Sequence, residues 1–317
     1  MLSRKPRHGI MITGVPRSGS TILANVLALS PTIGYVEEPF NSQTGMIGTD
    51  DHFFPYIYKG SKFQKRYDAI LDDILAGRAH YKENQLQPPT SNPLRVIYRH
   101  LFTNRYEIRY QLDAHDPRVK QFVLKDPTAS LSSQHFINHP NLSIIYTLRH
   151  PCGVVASHQR LGWVGTPIQD FLNDPKLFKL MTPAVQAVKG KQLSEIDGIA
   201  WYWRAVNELI LHVARSHPDT PIVEHEAFSQ DPEGITKQLY KRFDIPFTQA
   251  VETKLKAMTS TDNPTDPTNN DIHVLKRNSR ENIHRWKKHI SKADEAHIMK
   301  ICGQTYSKMQ KLPNTLQ

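Results

Sequence analysis

A turn marked by two glycines, between an apolar run and an amphipathic stretch, constrains the fold of this chain more than any other feature. The turn falls within residues 9–39, and the apolar run before it, residues 10–15, is suited to a buried strand. The glycines are Gly14 and Gly19. Apolar residues then recur at helical spacing, at Ile22, Leu23, Val26, Leu27 and Leu29. The stretch therefore predicts a strand, a loop of the size that holds a phosphate group, and a helix.

A loop of this kind suits a phosphate or sulfate group. Its backbone N–H groups and the positive end of the helix dipole point at one spot. The glycines let the backbone approach a ligand closely. Side-chain donors are added by Arg17, Ser18, Ser20 and Thr21. A plain structural turn between a strand and a helix has a similar composition, so that alternative stays open on the turn alone.

The spacing within the turn resembles a nucleotide-binding pattern with one change. Gly14 and Gly19 stand where the two glycines of GxxxxGK[ST] would, and Thr21 takes the hydroxyl position, but Ser20 occupies the place of the lysine. Kinases and NTPases use that lysine on the β- and γ-phosphates and the hydroxyl on Mg²⁺. The change argues against ATP hydrolysis, and a kinase-like phosphoryl transferase remains as a rival interpretation.

The charge balance narrows the class of ligand. Lysine and arginine number 40 against 30 aspartates and glutamates, which gives a net charge of +10 and a pI near 9.5. This excess favours an anionic ligand, a polyanionic partner or an acidic surface, although a merely basic soluble surface gives the same count. A non-catalytic binder of nucleic acid or sulfated glycan is therefore a second rival, with an affinity that falls steeply with salt.

The cysteine count and the hydropathy pattern indicate a compartment. Cys152 and Cys302 are too few for a disulfide framework, so a reducing environment is expected. No run approaches the roughly 18 apolar residues of a membrane-spanning helix, and the basic residues 1–8 lack a signal-peptide core behind them. We expect a cytoplasmic protein, with contact at a membrane face left open. The 16 histidines are dispersed without ligand spacing, so no metal site is expected.

Two later strands end in residues that suit an anion. Residues 121–127 are typical of a strand and place Lys125 near its carboxyl end, where open α/β sheets bind ligands. Residues 142–148 form the most continuous β-rich run of the chain, as in a strand buried on both faces. Arg149 follows that strand and Ser157 lies two turns into the next helix, so both can address one anion.

The rest of the chain alternates between helices and strands. Helical spacing is found in residues 62–77, 94–112, 129–137, 168–180, 195–217, 232–243 and 292–309, and residues 220–226 read as a fifth strand. Residues 276–288 hold seven basic side chains, counting histidine, and one indole. Because the first strand opens on a phosphate loop, the alternation predicts a doubly wound α/β domain with a parallel sheet.

Three segments together resemble the sulfotransferase family, which uses 3′-phosphoadenosine 5′-phosphosulfate (PAPS) as its donor. GVPRSGST at residues 14–21 resembles the 5′-phosphosulfate loop of the family. YTLRHPCGVVASHQRLGW at residues 146–163 resembles its 3′-phosphate motif, in which an Arg and a Ser eight residues apart hold the 3′-phosphate, and Arg149 and Ser157 have that separation. Residues 278–289, basic with a Trp, resemble the C-terminal loop that covers the nucleotide.

The resemblance extends to the segments YVEEPF and VLKDP, which are similar to those of the branch with carbohydrate and tyrosylprotein sulfotransferases and many bacterial members. It implies a P-loop-like, three-layer α/β fold in which helices flank a central parallel sheet, formed by residues 1–317 as a single domain. It places donor binding in the loop 14–21, the motif 146–163 and the segment 276–289. The implied donor-binding residues are Pro16, Arg17, Ser18, Gly19, Ser20, Thr21, Arg149, Ser157, Ser279, Arg280 and Trp286.

Two departures from the family pattern matter. Many members carry lysine in the first loop where this chain has Arg17, a swap that keeps the charge and changes the geometry. The C-terminal RKGxxGDWK form of the small-molecule enzymes is missing, and Arg280 and Trp286 alone keep its register. The contacts of this segment are therefore open, and a close relation to the phenol and steroid sulfotransferases is disfavoured.

The resemblance implies an in-line sulfuryl transfer without a metal. Arg17 and Lys125, with the loop N–H groups, are expected to stabilise the growing negative charge. A carboxylate at the end of the second strand is expected to take the proton of the acceptor hydroxyl. Glu37 and Glu38 are adjacent there, and because side chains alternate along a strand, one of them is expected to face the cleft. The family pattern favours Glu38, which precedes Pro39.

The acceptor is bounded by the same resemblance. A hydroxyl group of a glycan or glycolipid leads because of the EEPF and KDP segments, a protein tyrosine shares much of the pattern, and nucleic acid is not the expected partner. The sequence does not fix the oligomeric state.

Overall fold

Six strands form the sheet that carries the candidate site. The computed structural model describes residues 5–50, 52–83, 105–163, 166–260, 263 and 283–316, and for Arg105 the backbone alone. The strands are β1 (His8–Gly14), β2 (Ile33–Glu37), β3 (Gln121–Lys125), β4 (Leu142–Leu148), β5 (Ile222–Glu224) and β6 (Thr315–Leu316). Their order is β2-β3-β1-β4-β5-β6, and β1 and β2 both pair in parallel with β3, as β5 pairs in parallel with β4 and β6.

Helices flank this sheet. They are α1 (Ser20–Leu27), α2 (Gln64–Ala76), α3 (Arg105–His115), α4 (Ser133–Phe136), α5 (Pro151–Arg160), α6 (Ile168–Asn173), α7 (Pro175–Leu180), α8 (Pro183–Gln186), α9 (Glu195–Ser216), α10 (His225–Gln230), α11 (Pro232–Arg242), α12 (Gln249–Thr259) and α13 (Lys292–Gln310). Two 3₁₀ helices are also present, at Pro127–Ser132 and Arg285–Lys288. The expected α/β class with a parallel sheet between helices is confirmed.

The chain divides into two compact units that are interleaved in sequence. The first comprises Met1–Thr13, Ser20–Ile145 and Asp244–Pro246, and the second comprises Gly14–Gly19, Tyr146–Phe243 and Phe247–Gln317. In the first unit, β2 and β3 are buried along nearly their whole length. In the second, α9 buries one face that includes Trp203, and α13 packs against α9. Residues 14–19 of the phosphate loop and the 146–163 motif belong to the second unit, whereas Ser20, Thr21, Lys125 and the glutamate pair belong to the first.

Most predicted elements are confirmed with shifted ends, and two predictions are wrong. The helix expected at 168–180 is broken between α6 and α7, because Pro175 has no N–H and the Asp174 side chain caps α7 through the N–H groups of Lys176 and Leu177. The helix expected at 129–137 begins earlier as a 3₁₀ helix, at Pro127. The helix predicted at 94–112 lies mostly outside the described residues, and β6 was not predicted.

The buried carboxylate of Asp126 fixes the backbone just after β3. One oxygen accepts from the N–H of Thr128 at 2.9 Å and of Ala129 at 3.2 Å, so it caps the 3₁₀ helix. The other accepts from the N–H of Phe40 at 2.7 Å. Burial raises the pKa of Asp126 to about 7. This single side chain therefore ties together the segments that follow β2 and β3.

Candidate active site

The phosphate loop depends on its two glycines. Gly14 has φ +153°, and a Cβ there would lie 2.6 Å from the backbone oxygen of Thr147. Gly19 has φ +99°, and its Cβ would lie 2.8 Å from Nδ1 of His225. Any side chain at either position would clash, so the loop lies directly on the chain behind it. Ser18 is buried and its Oγ lies 2.5 Å from the hydroxyl of Thr147, which ties the loop to β4.

Three residues that the sequence places far apart meet in the second unit. Arg17 adopts φ +74°, a conformation that is uncommon for a residue other than glycine. Its carbonyl oxygen accepts from Nη1 of Arg149 at 2.8 Å, and its own Nε donates to Oγ of Ser157 at 3.1 Å. The phosphate loop and the Arg–Ser pair of the 146–163 motif thus form one cluster.

This cluster lines a cleft that is partly open to solvent. The cleft is formed by residues of the second unit alone: Arg17, Arg149, Gly153, Ala156, Ser157, Arg160, Arg285, Trp286 and His289. Four guanidinium groups and a serine hydroxyl face it. Guanidinium groups bind phosphate through paired N–H donors, so the chemistry of this cleft suits a multiply charged anion.

Gly153 gives the Arg149 side chain its place against α5. A Cβ at Gly153 would lie 3.0 Å from Nε of Arg149, which is closer than ordinary van der Waals contact. The carbonyl of Arg149 accepts from the indole N–H of Trp203 at 3.1 Å. The arginine is therefore held from its backbone, and a side chain at residue 153 would press on its Nε.

Trp286, which lines the cleft, stacks on a second ring. The indole of Trp286 is buried and stacks on the imidazole of His150, with centroids 4.8 Å apart and planes 9° apart. Burial, with the nearby charges of Lys287 and Arg149, lowers the pKa of His150 to about 4, so this ring is neutral at pH 7. The N–H of His150 donates to Oε1 of Glu226 at 3.1 Å. Trp286, in the described part of the predicted covering segment, therefore packs on a neutral ring.

In the first unit, Lys125 binds both candidate carboxylates. Its Nζ donates to Oε1 of Glu37 at 2.8 Å and to Oε1 of Glu38 at 2.5 Å. Both glutamates therefore contact one lysine: β2 ends at Glu37, and Glu38 follows it with φ +38°. Burial alone lowers the pKa of Lys125, but the carboxylates of Glu38 and Glu37 raise it above its ordinary value. The lysine therefore stays charged.

The two glutamates differ in their surroundings. Glu37 is buried, its Oε2 accepts from the hydroxyl of Tyr35, and its backbone oxygen accepts from the hydroxyl of Tyr81 at 2.7 Å. The side chain of Glu38 is 24% exposed, and its Oε2 accepts from Nδ2 of Asn41 at 2.8 Å. Of the two, Glu38 has the more exposed carboxylate.

The other predicted site residues fall into two groups. The carbonyl of Pro16 faces Nε2 of His158 at 3.4 Å, while Ser20 and Thr21 form the first turn of α1. Ser279 and Arg280 lie outside the described residues. Among the cleft residues, Arg160, Arg285 and His289 were not predicted as binding residues. A sequence signal existed for Arg160, since it lies three residues after Ser157 on the same helix and so on the same face.

Among the described residues, no group of three or more His, Cys, Asp and Glu side chains is arranged to hold a metal ion. No helix in the described part of the chain is long and apolar enough to span a membrane.

Comparison with known proteins gives matches of two kinds. A family model described as "Sulfotransferase family" matches residues 9–249. Among solved structures, the sulfotransferase domain from the curacin biosynthetic pathway is 16% identical, with 94% of this chain and 98% of that chain covered and a TM-score of 0.46. The sulfotransferase STF9 from Mycobacterium avium is 15% identical, with 90% and 76% covered and a TM-score of 0.40.

A third solved structure, mouse sulfotransferase SULT7A1 complexed with PAP, is 12% identical, with 96% of this chain and 89% of that chain covered and a TM-score of 0.40. No curated protein sequence matches significantly. The family model covers well over half of the chain, and it covers the phosphate loop, the glutamate pair, Lys125 and the Arg149–Ser157 motif. This chain belongs to the sulfotransferase family and is a sulfotransferase enzyme.

Proposed function

We propose that this sulfotransferase transfers the sulfuryl group of PAPS to a hydroxyl group of a carbohydrate or glycolipid. The observation that carries the proposal is the meeting of Arg17, Arg149 and Ser157 at one cationic cleft. A donor with phosphate groups at both its 3′ and 5′ positions offers enough negative charge for several guanidinium groups. Few other nucleotides carry anions at both ends of one ribose.

The donor would be held from three sides. Arg149 and Ser157 would bind the 3′-phosphate, since a guanidinium and a hydroxyl group line the same cleft. The N–H groups of the loop from Arg17 to Thr21, which Pro16 precedes, would bind the 5′-phosphosulfate, as glycine-rich loops before a helix do for phosphate. Trp286 would contact the nucleotide with a ring that His150 already holds in place.

In the transfer step, the acceptor oxygen forms a bond to sulfur as the bond from sulfur to the bridging phosphate oxygen breaks. The bridging electron pair leaves with adenosine 3′,5′-bisphosphate (PAP), and Glu38 takes the proton of the acceptor hydroxyl. Arg17 and Lys125 would stabilise the charge on the sulfuryl and bridging oxygens. Lys125 would also position Glu38, because it donates to that carboxylate. The step requires no metal ion.

The acceptor class rests on the YVEEPF and VLKDP segments, which are similar to those of the carbohydrate and tyrosylprotein branch. A tyrosine hydroxyl of a protein is the alternative acceptor. Incubation with ³⁵S-labelled PAPS and fractionated host glycans, lipids and proteins separates the two. Label in the glycan or lipid fraction supports the proposal, and label confined to protein favours the tyrosine acceptor.

The donor is tested by thermal unfolding with added nucleotide. A ligand that binds the folded state raises the Tm in proportion to the logarithm of its concentration over Kd. We expect PAP to raise the Tm of the protein and ATP with Mg²⁺ to leave it unchanged. The opposite pattern would favour a kinase-like phosphoryl transferase and contradict the proposal.

A further inference from the structure

Trp163 is an exposed indole beside the phosphate loop that the proposed transfer step does not use. It is the last residue of the 146–163 motif, and 41% of its surface is exposed. The Cζ atom of Arg17 lies 5.8 Å from the centroid of its ring. That separation is within the reach of about 6 Å over which a guanidinium is attracted to an aromatic face.

His158 contacts Trp163 through both its backbone and its ring. The backbone N–H of Trp163 donates to the backbone carbonyl of His158 at 3.1 Å, and the turn between them contains Gly162, with φ +66°. The imidazole meets the indole edge to face, with centroids 5.5 Å apart and planes 88° apart. Nε2 of the same imidazole faces the carbonyl of Pro16 at 3.4 Å. His158 therefore joins the loop backbone to the indole that lies against the loop side chain.

The protonation state of His158 fits this role. Burial lowers the pKa of His158 to about 4, with the charge of Arg17 acting in the same direction. A neutral imidazole donates from one nitrogen, and the carbonyl of Pro16 is the acceptor that lies near Nε2. No positive charge is then placed under the guanidinium, so the ring supports the loop without repelling Arg17.

The hydrogen bond to Ser157 is made by Nε of Arg17, whereas the indole lies near Cζ, at the centre of the guanidinium group. An aromatic face favours particular orientations of a guanidinium, because that group is flat, whereas a lysine ammonium is a compact point charge without a plane. An indole at this position can therefore orient an arginine side chain but not a lysine side chain.

We infer that Trp163 is a positioning residue that orients the guanidinium of Arg17 toward the sulfuryl donor. The inference rests on the proposed function for the identity of the donor, and it names a residue that acts through Arg17 without touching the reacting atoms. Because Arg17 would act on the sulfuryl and bridging oxygens, which change charge during transfer, the indole contributes to turnover more than to the binding of PAP, which lacks the sulfuryl group.

The first test needs no donor. The Nε–H signal of Arg17 in a ¹H–¹⁵N NMR spectrum is assigned by its disappearance in Arg17→Lys. We expect Trp163→Ala to shift and broaden this signal, since the ring current and the stacking partner are both lost, and Trp163→Phe to restore part of the change. An Nε–H signal that is the same in wild type and Trp163→Ala overturns the inference.

The second test measures function with a matched control. Trp201 makes the same kind of contact with Arg204, at 5.2 Å, on α9. The acceptor is the glycan, lipid or protein fraction that takes up label from ³⁵S-PAPS. At saturating PAPS, we expect Trp163→Ala to lower turnover on the order of tenfold, as misplacement of a reacting group does. We expect its Kd for PAP and its Tm to stay close to wild type, and Trp201→Ala to change none of the three.

A double-mutant cycle separates the role of Trp163 from a general effect. In an Arg17→Lys background, Trp163→Ala should lower turnover much less than it does in wild type, because lysine has no plane to orient. Equal losses in both backgrounds, or equal losses in the Trp201 control, overturn the inference. A wild-type protein that neither binds PAP nor transfers label overturns the proposed function itself, which is a distinct result.

Discussion

Two residues of the candidate site have backbone conformations that their side chains disfavour. Arg17 has φ +74° and Glu38 has φ +38°, and among the described residues Asp244 is the only other non-glycine residue with positive φ. Such conformations cost on the order of 1 to 3 kcal/mol each and persist where surrounding contacts enforce them. Arg149 provides that contact for Arg17, and Lys125 provides it for Glu38. Both residues were selected from the sequence by their chemistry, which does not reveal backbone strain.

The assignment of Glu38 as the base predicts a specific kinetic effect. Glu38→Gln should lower turnover by on the order of 10² to 10⁴, because the amide cannot accept the acceptor proton. The Kd for PAP should stay near the wild-type value, since Glu38 is not a donor-binding residue in this account. Label transfer from ³⁵S-PAPS and calorimetric titration with PAP measure the two quantities. Near-wild-type turnover in Glu38→Gln would move the role of base to another residue.

At the scale of the element, residues of helix α5 line the cleft. Its first turn contains Gly153, which weakens a helix by about 1 kcal/mol relative to alanine. The same glycine leaves room for Nε of Arg149. Alanine at residue 153 would therefore favour the helix, whereas glycine leaves space in the cleft for the Arg149 side chain.

Gly153→Ala should separate these two demands. The free energy of unfolding should stay level or rise, whereas the Kd for PAP should increase about tenfold, as expected for a displaced charged donor with a loss near 1.4 kcal/mol. Urea unfolding and calorimetry measure the two quantities. Gly303→Ala in α13 is the matched control, because a Cβ there would meet Met299 at an ordinary 3.4 Å. Unchanged PAP affinity in Gly153→Ala would show that Arg149 does not need this space.

Helix α10, which follows β5 directly, carries a carboxyl group with an altered pKa. Burial raises the pKa of Glu226 from 4.5 to about 7, against the opposing effect of Arg149. Between these values the folded protein keeps a proton that the unfolded chain releases. The contribution of Glu226 to stability is therefore present below pH 4.5 and is lost as the pH rises to 7.

Glu226→Gln should reduce this pH dependence. The amide oxygen can still accept from the N–H of His150, and the variant should be more stable than wild type at pH 8 by on the order of 2 to 3 kcal/mol. The two should converge near pH 4.5. Urea unfolding across pH 4.5 to 8 measures the difference, with the exposed Glu195→Gln as control. An equal pH dependence in wild type and Glu226→Gln would contradict the assignment.

At the scale of the whole molecule, the sequence predicts the class of the fold and the main site residues better than their contacts. The strand–loop–helix pattern and the buried runs predicted a parallel sheet, because both depend on local periodicity. The bond from Arg17 to Ser157, the shared lysine of the glutamate pair and the stacking of His150 on Trp286 were not predicted. These contacts join residues far apart in the chain, and single-sequence patterns report only near neighbours.

The net charge of +10 and the family assignment also act at this scale. Both favour an anionic donor, but neither distinguishes a specific 3′-phosphate site from general attraction. At a specific site, the loss of affinity on removing one phosphate depends on whether the arginine that binds it is present. Under general attraction, removal of the phosphate and removal of the arginine lower the affinity by independent amounts.

Calorimetric titration of PAP and of adenosine 5′-phosphate, each into wild type and Arg149→Ala, tests the central claim most directly. We expect wild type to prefer PAP by on the order of 100-fold and Arg149→Ala to lose at least tenfold of that preference, consistent with a charge-assisted contact of about 1.5 to 3 kcal/mol. The exposed Arg118→Ala should keep the full preference. Equal affinity of wild type for the two nucleotides, or a preference for PAP that survives intact in Arg149→Ala, would contradict the account.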